Sequence, residues 1–80
     1  MRIKIVLDTK TQLNKFVSIC GEMPEPVYLS DGSREYRVSA KSTLGCILAK
    51  MEWKDIFCEY DGEDKQVLES KLRNADLTAE

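Results

Sequence analysis

The sequence predicts a small α+β domain in which a four-stranded antiparallel sheet carries three helices on one face, in the order βαββαβα. Two observations carry this. Apolar spacing alternates along the chain between the period of two expected of strands and the wider spacing expected of helices. Turn chemistry, in Pro24, Pro26, Asp31-Gly32 and Asp61-Gly62, stands where the spacing changes. The length then sets the scale, since 80 residues hold one core, two packed layers and a single domain spanning residues 1–80. Three helices cover one face of a four-stranded sheet, so the other face is expected to be wet.

Ile3, Ile5 and Leu7 alternate with Arg2, Lys4 and Val6, a strand pattern. Asp8 to Thr11 supply helix-capping residues. Leu13, Phe16, Val17, Cys20 and Met23 then recur at helical spacing, predicting a helix from about Thr11 to Met23 that Pro24 and Pro26 stop. Val27 to Leu29 reads as a short strand. Ser30-Asp31-Gly32-Ser33 predicts a tight hairpin, with Asp-Gly supplying positive backbone dihedrals. The partner strand runs from Glu35 to Ala40 and puts Tyr36, Val38 and Ala40 on one face.

Ser42 opens a short helix through about Lys50, and Gly45 inside it points to close packing, since glycine there costs about 1 kcal/mol against alanine. Met51 to Lys54 reads as a connection. Ile56, Cys58 and Tyr60 alternate with Phe57 and Glu59 in a last strand, with Phe57 partly exposed. After Asp61-Gly62, a final helix from Glu63 to about Leu77 carries Val67, Leu68, Leu72 and Ala75 as its apolar stripe. Its acids near the start and its basic residues near the end suit the helix dipole. Lys4, Arg37, Ser39 and Glu59 fall on the outward side of the sheet.

The formal net charge is −2, with both signs mixed along the chain and no basic stripe to neutralise a phosphate backbone, so no nucleic-acid partner is expected. No apolar run is long enough to span a bilayer, and the alternating start differs from a signal peptide, which predicts a cytoplasmic protein with no membrane partner. Cys20, Cys46 and Cys58 stand far apart among apolar neighbours and read as small buried hydrophobes. There is no C-x-x-C pair and no histidine, so a Cys/His zinc site cannot be built.

Two stretches carry a resemblance. Arg37-Val38-Ser39-Ala40-Lys41-Ser42-Thr43-Leu44-Gly45 and Ile56-Phe57-Cys58-Glu59-Tyr60-Asp61-Gly62, together with the element order, are similar to the HPr family, the histidine-containing phosphocarriers of the bacterial sugar phosphotransferase system. The resemblance runs from about Lys4 to Leu77 and implies the family's open-faced β-sandwich. It implies no cofactor. It places the family's regulatory serine, phosphorylated by a dedicated kinase with ATP, on Ser42. It also implies an apolar docking patch on the helix after Ser42, which in the family meets enzyme I, the sugar permease domains and the serine kinase.

The chain departs from the family where the chemistry sits. The family's first helix begins with a histidine, an arginine and a proline, and this chain has Asp8-Thr9-Lys10-Thr11-Gln12, with no histidine anywhere. No position inherits the phosphocarrier role, so the expectation is a non-enzymatic regulatory or protein-binding module. The alternatives are a carrier using a substitute acceptor near Lys10, or a relative in fold alone with an unrelated partner.

For single residues, a bland and a functional reading stand side by side. Ser42 is a helix cap, a phosphorylation site, or both. Thr43, Leu44 and Ile47 are expected on the solvent side of their helix if Cys46 and Ala49 face the sheet, and there they would form a docking face. Trp53 is either a binding residue or a cover for the core edge. Tyr36 and Tyr60 are expected in the core. Glu63 and Asp64 are expected to be a solvated helix start, with no second carboxylate opposite them.

Overall fold

The structure, a computed structural model, describes residues 1–79. The elements are β1 (Arg2–Ile5), α1 (Lys10–Gly21), β2 (Tyr28–Asp31), β3 (Arg37–Ser39), α2 (Thr43–Glu52), β4 (Ile56–Glu59) and α3 (Lys65–Asn74). The four strands form one antiparallel sheet in the order β1-β4-β2-β3, so the expected α+β architecture is present. The first and last strands in sequence lie side by side, which ties the chain's two halves together.

The period-two residues explain which face is covered. Ile5, Leu29, Ile56 and Cys58 are buried and meet Leu13, Phe16 and Cys20 of α1, Cys46 and Ala49 of α2, and Leu68 and Leu72 of α3 in one core. Burying each large side chain is worth about 1.5–3 kcal/mol, so this layer is the main support of the fold.

The opposite face carries two rows across the strands: Arg2, Glu59, Tyr28 and Ser39, then Lys4, Phe57, Ser30 and Arg37. This face is wet but not bare. The Arg2 guanidinium lies 3.8 Å from the Phe57 ring centre, and Arg37 lies 3.9 Å from that of Tyr28. Half-buried Phe57 is tolerated there because a cation covers it. Ser30, beneath them, donates to Glu59, and the Ser30 hydroxyl followed by the Arg2 guanidinium holds the Glu59 carboxyl below the usual carboxylate range.

Several boundaries differ from the sequence pattern, each for a local reason. The β2–β3 connection is not a tight Asp-Gly hairpin. The Asp31 carboxylate accepts from the Ser33 hydroxyl at 2.7 Å and the Tyr36 N–H at 3.3 Å, closing a loop of residues 32–36 in which Arg34, not Gly32, takes the left-handed conformation (φ 65°). The partner strand therefore starts at Arg37, and Tyr36 is 62% exposed rather than in the core. Helix α1 ends two residues early, at Gly21, and Met23 is buried just beyond it.

Helix α2 runs on through Met51 and Glu52, which the pattern assigned to a connection. Helix α3 starts late and ends early. Leu68 and Leu72 face inward one turn apart, and Val67 beside them is 48% exposed. Asp76 in the left-handed region (φ 59°) reverses the chain after α3 and returns Leu77 to the core. Gly45 fits its expected role: a Cβ there would stand 3.3 Å from Val38 Cβ and 3.4 Å from the Ser39 carbonyl, so the missing side chain lets α2 sit close over β3.

Candidate functional site

The start of α2 is built around Ser42. Its backbone is extended (φ −96°, ψ 114°) and its Oγ accepts from the Gly45 N–H at 3.1 Å, so it is the N-cap. Serine at this position satisfies a donor that the helix leaves open. Ser42 is also exposed, and the first turn of α2 holds no acid that would repel an added phosphate. Beside it, the Lys41 ammonium donates to the Met23 carbonyl at 2.7 Å and pins the approach to α2 against the end of α1. Replacing the cap, Ser42→Ala, is expected to cost about 1 kcal/mol, a fall in Tm of roughly 4–8 °C. An unchanged thermal midpoint would show that the cap is energetically idle.

Past the cap, the helix shows two faces. Gly45, Cys46 and Ala49 are buried against the sheet. Thr43 is exposed, and so are Leu44 (68%), Ile47 (36%), Leu48 (47%) and Met51 (76%). The four apolar residues follow i, i+3, i+4, i+7 spacing, so they form one contiguous stripe. The sequence pattern named Leu44 and Ile47. Met51 was missed because the helix was ended at Lys50, and Leu48, inside that helix and four residues after Leu44, was not assigned to the stripe. Carrying the i, i+3, i+4, i+7 spacing on from Leu44 finds both.

Trp53 is the C-cap of α2, with its N–H donating to the Ala49 carbonyl at 2.9 Å, and its half-buried ring packs against the core. It also lines a groove of about 620 Å³ between the β2–β3 loop and the second half of α2, together with Tyr36, Val38, Leu48 and Ala49. Trp53 thus covers the core edge and walls a surface groove at once, and the groove joins the Leu44–Met51 stripe through Leu48.

The start of α1 is closed in on itself. Thr9 Oγ1 accepts from the Gln12 N–H at 3.1 Å, and Gln12 Oε1 accepts from the N–H groups of Thr9 (3.0 Å) and Asp8 (2.8 Å). This capping box is legible as Thr9-x-x-Gln12. Lys10 is exposed at the first helical position.

The thiols of Cys20 and Cys46 stay protonated at neutral pH. A hydrogen bond with Cys58, and then burial, push the Cys20 thiol up, and burial pushes Cys46 up to about 11. All three cysteines are buried and free, an environment that suits packing rather than nucleophilic attack.

The acids after β4 depart from expectation. Asp64 makes no side-chain cap to α3. Its Oδ1 instead accepts from the buried Tyr60 hydroxyl at 2.7 Å, and Glu25, at the approach to β2, meets the same hydroxyl from the other side. A second carboxylate does therefore stand opposite Asp64, joined to it through a phenol. Burial, and then these two contacts, raise the Tyr60 pKa above its ordinary value.

The sign of the effect on stability follows. The folded state favours the neutral phenol, so this contribution is complete below the unfolded tyrosine pKa near 10 and is lost progressively above it, as pH rises toward and through the raised folded-state pKa. In the difference between wild-type and Tyr60→Phe absorbance at 295 nm, the phenolate signal should appear only together with loss of circular dichroism. A Tyr60 phenolate formed while the native spectrum persists would contradict this.

No helix among the described residues is long and apolar enough to cross a membrane, and no group of three or more Cys, Asp or Glu side chains among them is placed to hold a metal ion. No family model, no curated protein and no solved structure matches the chain.

Proposed function

We propose that this protein is a non-catalytic regulatory and protein-binding module of phosphotransferase type, which docks through α2 and is switched by phosphorylation at Ser42. The observation that carries the reading is the exposed stripe Leu44, Ile47, Leu48 and Met51, which starts two residues after an exposed serine cap. Stripes of this kind on a small domain mark interaction surfaces.

Charge added at Ser42 acts twice. It meets the free N–H groups and the positive end of the α2 dipole, worth about 0.3–1 kcal/mol or more. It also sits beside Leu44 and alters what an incoming surface meets. Thr43, Leu44, Ile47 and Trp53 form the docking set of the proposal, with Leu48 and Met51 added by their exposure. Its partners are enzyme I, a sugar permease domain or a serine kinase of that system, and its setting is the bacterial cytoplasm. The missing histidine supports a role as a decoy or regulator that occupies partners without accepting phosphate.

The test is an amide-resolved titration of the labelled protein with the phosphoenolpyruvate-binding half of enzyme I. Shifts clustered at Thr43, Leu44 and Ile47 are expected. A flat response at high concentration would remove this partner and leave a protein related to the phosphotransferase system by its layout alone.

A further inference from the structure

Sulfur is divided unevenly between the inside and the outside of this molecule. The chain holds three cysteines and three methionines. All three cysteines are fully covered, and Met23 is 4% exposed. The Met1 side chain is 7% exposed and packs against the core, while its amino group donates to the Tyr60 carbonyl at 3.0 Å. Among the described residues only the Met51 thioether is open to solvent, at 76%. Its position matters as much as its exposure. Met51 lies in the last turn of α2 and closes the apolar stripe, three residues after Leu48 and four after Ile47. A helical rise of about 1.5 Å per residue puts it roughly 10 Å along the helix from Leu44.

A thiol is oxidised through its thiolate, and here the Cys20 and Cys46 thiols are protonated and Cys58 is equally covered. A thioether reacts through a sulfur lone pair and needs no deprotonation, so its oxidation follows access. We propose that Met51 is an oxidation site, at which a hydroperoxide converts the thioether to the sulfoxide and breaks the apolar continuity of the α2 docking stripe. The sulfur lone pair attacks one peroxide oxygen. The S–O bond forms as the O–O bond breaks, and with hydrogen peroxide the departing hydroxide takes the proton of the transferred oxygen and leaves as water. Sulfur gives up an electron pair and the peroxide accepts it, so no other reactant is needed.

The inference rests on the reading of α2 as a docking face and adds a second control of it, at the opposite end from Ser42. A phosphate at Ser42 sets charge beside Leu44. A sulfoxide at Met51 sets a polar S–O group beside Leu48 and turns a flexible apolar side chain into a polar one. Met51 has no place in the core, so the change acts on the surface and leaves the fold intact.

The test uses the full chain and hydrogen peroxide. A limiting dose is expected to add one oxygen atom, which peptide mass mapping finds on Met51 roughly tenfold faster than on Met1 or Met23. The oxidised chain should keep its thermal midpoint and leave a hydrophobic-interaction column earlier than the untreated chain. Met51→Leu should stay late with or without peroxide, and Met51→Gln should leave early without it. Similar oxidation rates at all three methionines, or first reaction at a cysteine, would overturn the proposal. So would a Met51 sulfoxide with unchanged retention, or a midpoint that falls on oxidation. These readings need no partner and decide the proposal apart from the enzyme I titration. If the reduced chain binds that fragment, the sulfoxide should bind about tenfold more weakly, and equal binding by both forms would overturn oxidation as a control of docking. No binding by the reduced chain would remove the enzyme I reading alone, and the column and mass results would still decide whether Met51 oxidation breaks the stripe.

Discussion

Leu44→Glu is expected to abolish binding through the α2 face while leaving the fold intact. Leu44 is 68% exposed and has no place in the core, so the substitution should change stability by no more than about 0.5 kcal/mol. The same side chain stands at the front of the exposed stripe formed with Ile47, Leu48 and Met51, next to the Ser42 cap, where the proposed partner would meet it. A carboxylate there loses the apolar contact and must be desolvated without a partner. Together these cost about 2–4 kcal/mol, a loss of roughly 30- to 1,000-fold in affinity. Isothermal titration against the enzyme I fragment, with the thermal midpoint as a folding control, reads both effects. Undiminished binding by a folded variant would remove α2 as the docking face.

Gly62→Ala is expected to be the most damaging small substitution in the chain. Gly62 is buried and its φ is not positive, so its conformation does not demand glycine. Space does. A Cβ at this position would fall inside van der Waals contact with Tyr60 Cζ and Oη, and 2.5 Å from Glu25 Oε2. Glu25 ends in a flexible, exposed side chain and can give way. Tyr60 is held in the core and cannot move without losing its bond to Asp64. Overpacking of this kind costs about 1–3 kcal/mol, and the upper end is expected here because a buried hydroxyl is disturbed as well.

A paired control sets the sign. Gly21, at the end of α1, has nothing within 4 Å of its missing Cβ, so Gly21→Ala should be neutral or stabilise by up to about 1 kcal/mol. Urea midpoints for the two variants moving in opposite directions would support this account. A harmless Gly62→Ala would show that the phenol and its two carboxylates are not a rigid unit.

The layered α+β architecture, the inward residues of β1 and β4, the buried cysteines and the Ser42 cap followed from residue type and spacing, because burial enforces period two on strands and helical spacing on helices. The solvent side of α2 followed in the same way, once Cys46 and Ala49 were assigned to the sheet. Spacing has less hold where a side chain far along the chain completes a local structure. The β2–β3 loop depends on the Asp31 carboxylate reaching Ser33 and the Tyr36 N–H, and that contact moved Tyr36 from core to surface. Glu25 and Asp64 are 39 positions apart in the numbering, and only the packing of β4 between them brings both to Tyr60. The groove at Trp53 likewise exists only after α2 has settled over the sheet. Short-range periodicity fixed which side chains point inward, and tertiary packing decided which distant polar groups meet and which surfaces stay open, because those outcomes depend on contacts that no local pattern encodes.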